Sequence, residues 1–331
     1  MTPASMRELL VLDNVSKRFQ RPPGLVDRVL RRAVPAVRAV EGVSLTLAAG
    51  EILGLVGESG CGKSTLGRIA AGLLAPSDGV ASFRGQPIAE EANNRLTKRV
   101  TAVQMVFQDP YASLNPRMRV GQAIAEGPLA HLMWQAREVP ERVASVLTQV
   151  GLDPAFASRF PHQFSGGQRA RIGIARALAM APQVIIADEA VAALDVSIQA
   201  QVLNLLLELR ARLGVALVFI SHDLSVVRHL ADRVAIMYLG RIVELGPAEA
   251  IFDSPSHPYT KGLLDSVPRL DRRQATFTPV AGEIPSPLKP PSGCHFHPRC
   301  GRAVARCSTE SPLLRTLGPG RQAACHLAEA T

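Results

Sequence analysis

Residues 52–65 read ILGLVGESGCGKST. A short, nearly all-apolar run bounded by turn residues is the pattern of a parallel strand covered on both faces. It leads into Gly57–Ser64, which fits G-x-x-x-x-G-K-[ST], and then into a helical stretch ended by Pro76. Strand, glycine loop and helix in that order are what a phosphate loop requires. The glycines let consecutive N–H groups turn toward an anion, and the helix N-terminus adds the positive end of a dipole. In such a loop Lys63 reaches the β- and γ-phosphates and the Ser64 hydroxyl ligates Mg²⁺. An ordinary glycine turn is the competing reading, and the strand–helix setting disfavours it. Cys61 lies at a variable loop position and reads as a small packing residue, although nearby positive charge favours the thiolate.

Working outward, VIIADE at 184–189 is an apolar strand ending in two acids. Asp188 is placed to hold the Mg²⁺ shell and Glu189 to orient or deprotonate an attacking water. Many strands end in acids, so this motif takes its weight from the phosphate loop upstream. Further strands are expected over 9–19, 43–56, near 99–108, over 183–188 and 215–221, and as a pair within 233–245. Between about 120 and 181 the pattern is helical, an insertion in an α/β core. A later helix carries Ile198, Val202, Leu205 and Leu209 on one face, as if packed on a sheet. From about residue 253 the texture becomes Pro-rich and irregular.

The chain has 331 residues, of which 47% are hydrophobic and 20% charged, a globular rather than disordered or collagenous composition. No apolar run approaches the length of a membrane span. The first residues lack a basic n-region followed by an apolar core, so a cytosolic address is the expectation. The net charge of +9 suits nucleic acid, anionic lipid or polyphosphate alike. Part of it is concentrated in Arg21, Arg28, Arg31, Arg32 and Arg38, opposed locally by Asp27. A solvated basic loop and a contact with lipid headgroups or a membrane partner are both open readings.

FSGGQRARIGIARAL at 164–178 resembles the signature motif of ABC ATPases, which usually reads LSGGQ. The resemblance implies that Ser165, Gly166, Gly167 and Gln168 face the γ-phosphate bound to a second subunit. Gln108, in MVFQDPYASLNPRM, matches the Q-loop glutamine, which joins Ser64 and Asp188 at the metal and connects to the helical subdomain. Ala193-Leu194-Asp195 matches the D-loop, and His222 in FISHDL matches the switch histidine. Glu189, His222 and Gln108 are then the expected catalytic set. Gly57, Glu58, Ser59, Gly60, Cys61, Gly62, Lys63, Ser64 and Thr65 would contact the phosphates, with Phe19 on adenine and Val37 beside it. Departures from the family pattern are Phe164, Ala170, Ala190 and Ala192; they leave the Ser165–Gly167 donors and the acids Asp188, Glu189 and Asp195 in place, while Ala190 and Ala192 bear on loop rigidity or dimer contacts. The implied fold is a P-loop NTPase cassette: a RecA-like core sheet, an antiparallel β-subdomain and a helical subdomain at about 116–181. It would occupy 1–252, with a small irregular extension over 253–331.

The resemblance narrows in SHPYTKGLLDSVP and GCHFHPRCGRAVARC…ACHL, which look like the ATPase subunits of oligopeptide/dipeptide importers. That subfamily also includes glutathione and nickel transporters. It implies two ATPase subunits, two membrane permeases and an external binding protein, with this subunit peripheral on the cytoplasmic face of the inner membrane. The cysteines Cys294, Cys300, Cys307 and Cys325 have the spacing C-x5-C-x6-C-x17-C. Four thiolates suit zinc or an iron–sulfur cluster. The wide intervals favour [4Fe–4S], which some members of the family carry, while four reduced packing cysteines are the plain alternative. His295, His297 and His326 lie close by as substitute ligands, or as solvated residues. A nucleic-acid ATPase is disfavoured because there is one cassette and no heptad run. A non-hydrolysing sensor is disfavoured by Glu189 and His222.

Overall fold

The computed structural model describes residues 8–20, 35–92, 95–109, 111, 113–192, 194–266, 280 and 282–329. The basic residues Arg21, Arg28, Arg31 and Arg32 and the D-loop residue Ala193 lie outside them. Strands β1 (Glu8–Gln20) and β2 (Ala36–Ala48) pair antiparallel, with Leu12 opposite Leu45 and Phe19 opposite Val37. The chain turns through Gly50, at φ +68°, into β3 (Ile52–Val56). The apolar runs within 43–56 thus fall into two strands, and the turn sends the chain from one sheet to another.

Helix α1 (Lys63–Ala70) follows, then β4 (Asp78–Phe83) and β5 (Gln86–Pro87), which complete a four-stranded sheet in the order β2-β1-β4-β5. A hairpin of β6 (Ala89–Ala92) and β7 (Arg95–Lys98) precedes β8 (Val103–Val106). Its short polar strands carry no apolar alternation, which hides them from a sequence reading. Helices α2 (Val120–Ala130), α3 (Val139–Gln149) and α4 (Gly166–Leu178) form the helical region. Phe164, where the family usually has leucine, is buried and meets Phe156 edge-on at 5.3 Å.

The remaining core elements are β9 (Val184–Asp188), α5 (Val196–Leu213), β10 (Ala216–Ser221), α6 (Leu224–Leu230), β11 (Arg233–Tyr238) and β12 (Arg241–Pro247). Val202, Leu205 and Leu209 of α5 are buried, and Ile198 is half-buried. The chain continues through α7 (Ala248–Asp253), α8 (Pro258–Asp265) and α9 (Ala305–Thr309) to β13 (Arg315–Gly318) and β14 (Arg321–Ala323). The central sheet runs β13-β14-β12-β11-β3-β10-β9-β8. Strands β11, β3, β10, β9 and β8 are parallel, and β3, β9 and β10 are buried at every position, as helix-covered parallel strands must be.

The segment after residue 253 is tied to that sheet. Strand β14 pairs antiparallel with β12, placing Ala323 opposite Glu244. The Glu244 carboxylate, fully buried, accepts from the amides of Ser256 at 2.7 Å and His257 at 3.0 Å. His257 in turn caps α8, its Nδ1 accepting from Tyr259 N–H at 3.0 Å. Tyr259 is buried against Tyr238, with ring centroids 4.6 Å apart. Among the described residues, no helix is long and apolar enough to cross a membrane.

Candidate functional site

The loop from Gly57 to Ser64 joins β3 to α1 at the end of the parallel strands. Two of its glycines are sterically required. A Cβ on Gly57 would stand 2.2 Å from the Met237 carbonyl oxygen. One on Gly62, at φ +109°, would stand 2.1 Å from that of Ala39. Lys63 is buried, and its ammonium donates to the carbonyls of Gly57 at 2.7 Å and Glu58 at 3.0 Å. The loop faces an open cleft of about 220 Å³, lined by Ser59, Gly60, Lys63, Ser64 and Thr65. Val37, Gln108 and Glu189 complete its sides, together with Pro287 from the C-terminal segment. Cys61 is buried, and burial pushes its thiol above the usual range, so it packs rather than reacts.

Two acids meet this loop. Ser64 Oγ donates to Asp188 Oδ1 at 2.8 Å. Burial raises the Asp188 carboxyl, and the Ser64 bond works against that rise. A hydroxyl and a carboxylate converging beside the phosphate loop are the hard oxygen ligands that Mg²⁺ takes. Glu189 sits at φ +46°, a left-handed conformation unusual for a residue with a Cβ, held by its N–H donating to Ile220 O at 3.0 Å. That conformation brings its carboxylate between two partners. Gln108 Nε2 donates to Oε2 at 2.8 Å, and His222 Nδ1 stands 3.5 Å from Oε1. A carboxylate held between an amide and an imidazole, next to the serine–aspartate pair, can orient a water and accept its proton.

Phe19 is 44% exposed, with the Lys17 ammonium 5.5 Å from its ring centroid. It lies opposite Val37 in the strand register, and Val37, not Phe19, lines the cleft. Ser165 caps α4, its Oγ accepting from Gln168 N–H at 3.3 Å while Gln168 Oε1 accepts from Ser165 N–H at 3.0 Å. Ser165 and Gly166 are exposed, and none of Ser165, Gly166, Gly167 and Gln168 is among the residues lining the cleft. Asp195 is exposed at the start of α5. Ala190 is buried and Ala192 exposed, the latter turning back to hydrogen-bond Glu189 O at 3.0 Å.

All four terminal cysteines are free. Cys294 N–H donates to Cys307 O at 2.8 Å. Burial raises the Cys294 and Cys300 thiols, and neighbouring cysteines add to the rise, so the four are gathered within electrostatic reach of one another. They are not arranged as ligands: among the described residues no group of three His, Cys, Asp or Glu side chains is placed to hold a metal ion. The expectation of a [4Fe–4S] or zinc site therefore gains no support from the geometry. His297 Nδ1 shares a hydrogen bond with Cys294 O and His326 Nε2 with Glu310 O, each at 2.9 Å. His295 Nε2 lies 4.0 Å from Glu41.

The C-terminal segment also reaches the phosphate loop, which the sequence reading missed. Arg299 Nη1 and Nη2 donate to Glu58 Oε2 and Oε1 at 2.7 and 3.0 Å, across 241 positions of chain. Tyr259 Oη accepts from Glu58 N–H at 3.0 Å. The one available signal was an arginine inside the cysteine-rich tail with no acid near it in sequence.

The family model described as ABC transporter matches residues 40–192. That described as oligopeptide/dipeptide transporter, C-terminal region, matches 243–307. The oligopeptide transport ATP-binding protein AppF of Bacillus subtilis (strain 168) is 50% identical over 331 residues, 99% of each chain. The di/tripeptide transport ATP-binding protein DppF of Pseudomonas aeruginosa (strain UCBPP-PA14) is 48% identical over 92% of this chain and 94% of its own length. Among solved structures, a nucleotide-free ATP-binding cassette from an ABC transporter superposes with a TM-score of 0.61 at 26% identity, covering 77% of this chain and 98% of the other. CbiO1 from Clostridium perfringens, part of the ABC transporter complex cbiONQ, gives 0.60 at 27% identity, covering 75% and 92%. With the phosphate loop, paired acids and signature helix in place and half its residues shared with such relatives, the chain belongs to the ATP-binding subunits of ABC transporters.

Proposed function

We propose that this subunit hydrolyses ATP as one half of a cassette dimer and thereby powers uptake of di- or oligopeptides. The observation carrying the catalytic part is the convergence of Gln108 and His222 on Glu189, beside the Ser64–Asp188 pair. Lys63 and the loop amides bind the phosphates, and Ser64, Gln108 and Asp188 hold Mg²⁺. The ion, when bound, neutralises charge on the β- and γ-phosphate oxygens. Glu189 accepts a proton from the attacking water, and His222 contacts the γ-phosphate. Ser165–Gln168 serve the nucleotide of the other subunit, which accounts for their place outside this cleft. Catalysis is then mainly positioning and charge stabilisation.

The peptide assignment rests on the names of the relatives and on the match to the C-terminal region. On this reading residues 1–252 form the nucleotide-binding unit, with its helical subdomain at about 116–181, and 253–331 form the extension. The partners are a second ATPase subunit, two permeases and, indirectly, an external solute-binding protein, with this chain on the cytoplasmic face of the inner membrane. Reconstitution with the permeases in liposomes tests it: peptide should accelerate phosphate release and accumulate inside. Phosphate release indifferent to every peptide offered would sink the substrate assignment.

We also propose that Cys294, Cys300, Cys307 and Cys325 receive a [4Fe–4S] cluster, a reading that rests on the number and spacing of the cysteines in the sequence. Anaerobically purified protein should then absorb visible light and lose that absorbance on Cys300→Ser. Stoichiometric zinc without iron would replace the cluster with a zinc site, and neither metal would leave packing cysteines.

A further inference from the structure

We propose that Arg299 is a positioning residue for the phosphate loop, holding Glu58 from the C-terminal segment and so presetting the backbone that receives ATP. This rests on the reading of that loop as the ATP site. Glu58 is fixed at three points. Its carboxylate takes both Nη atoms of Arg299 at 2.7 and 3.0 Å, its N–H donates to Tyr259 Oη at 3.0 Å, and its carbonyl accepts from Lys63 Nζ at 3.0 Å. Two of these ties come from beyond residue 253.

Arg299 is itself held rigidly. Its side chain is 4% exposed, with the guanidinium 5.8 Å from the Tyr238 ring centroid and 5.9 Å from that of Phe296. Tyr238, Tyr259 and Phe296 contact one another at centroid distances of 4.6 to 5.4 Å, so the walls around the guanidinium are packed together. A planar fork fixed in this way holds a carboxylate in one orientation, which a lysine at the same place would not. Glu58 follows Gly57 directly, and Lys63 bonds to the carbonyls of both. Holding Glu58 therefore fixes the first residues of the loop and the resting place of the lysine. The C-terminal segment becomes part of the ATP-binding apparatus.

The test is calorimetric titration of MgATP into the full chain, with Glu189→Gln as the common background to suppress turnover. Arg299→Gln should weaken binding about tenfold, and Arg299→Lys less. Glu58→Gln should match the loss, and the double variant should lose no more than either single. Equal affinity in Arg299→Gln and its parent, or losses that multiply in the double variant, would overturn the proposal. Should Arg299→Gln fail to fold, Glu58→Gln reads the same link from the loop side, and unchanged affinity there has the same force. A parent chain that binds no MgATP would instead refute the ATP-site reading itself. In the assembled transporter the Arg299 defect should appear in KM for ATP rather than kcat, whereas a generally damaged fold lowers the active fraction and hence kcat.

Discussion

Gln108 Nε2 donates to Glu189 Oε2 across 2.8 Å, linking the segment that follows β8 with the carboxylate next to Asp188. His222 approaches the other oxygen of the same carboxylate. Glu189 thus ties together the residues that follow β8 and β10 as well as facing the cleft.

Glu189→Gln keeps the shape of this junction and removes the proton acceptor. Binding of MgATP should stay close to wild type, while phosphate release falls by at least about a hundredfold. ATP should then hold the subunits together as a dimer visible by light scattering. Hydrolysis near the wild-type rate would strip Glu189 of its role.

Phe19 presents a ring at 44% exposure opposite Val37, which lines the cleft. If it stacks on adenine, Phe19→Ala should weaken ATP binding by roughly 1–3 kcal/mol, the range for base–aromatic contacts. Phe19→Tyr should retain binding. Titration with a fluorescent ATP analogue measures both, and an unchanged affinity for Phe19→Ala would place the base elsewhere.

Phe164 fills the space beside Phe156 where the family usually has leucine. Phe164→Leu, which gives up part of the ring volume and the edge-on contact with Phe156, should cost roughly 1–3 kcal/mol, and Phe164→Ala about 3–5 kcal/mol. Urea unfolding of the two variants tests this ordering.

His257 is buried, and burial pushes its imidazole from 6.5 down to about 4. The unfolded chain takes up the proton first as pH falls, so the histidine's contribution is complete above 6.5 and disappears as pH drops through 4. The range corresponds to roughly 3 kcal/mol. His257→Asn keeps a capping oxygen for the Tyr259 amide but does not titrate. Its unfolding midpoint should fall less steeply with acid than that of wild type, and parallel curves would exclude His257 as the cause.

Much of the site was legible because it is encoded locally. Strand β3, the glycines and Lys63 occupy one continuous stretch, and VIIADE is a buried strand ending in the two acids that meet the loop. The β6–β7 hairpin was missed because its residues alternate in neither polarity nor size. Cysteine spacing supplied a ligand count but no geometry, since the intervening loops are irregular. The Arg299–Glu58 contact had no local trace, because neither residue's neighbours specify a partner 241 positions away.

Strand β14 covers one side of β12, and β13 covers β14 in turn. A chain ended at 253 would lack both and leave the main-chain donors and acceptors of Glu244 and Leu245 facing outward. An unpaired strand at the margin of a sheet recruits strands from other molecules. The natural margin is instead a four-residue strand that starts at Arg315, which is short and charged enough to discourage such pairing. The C-terminal segment thus insulates the nucleotide-binding sheet from self-association while the subunit is still without its partners.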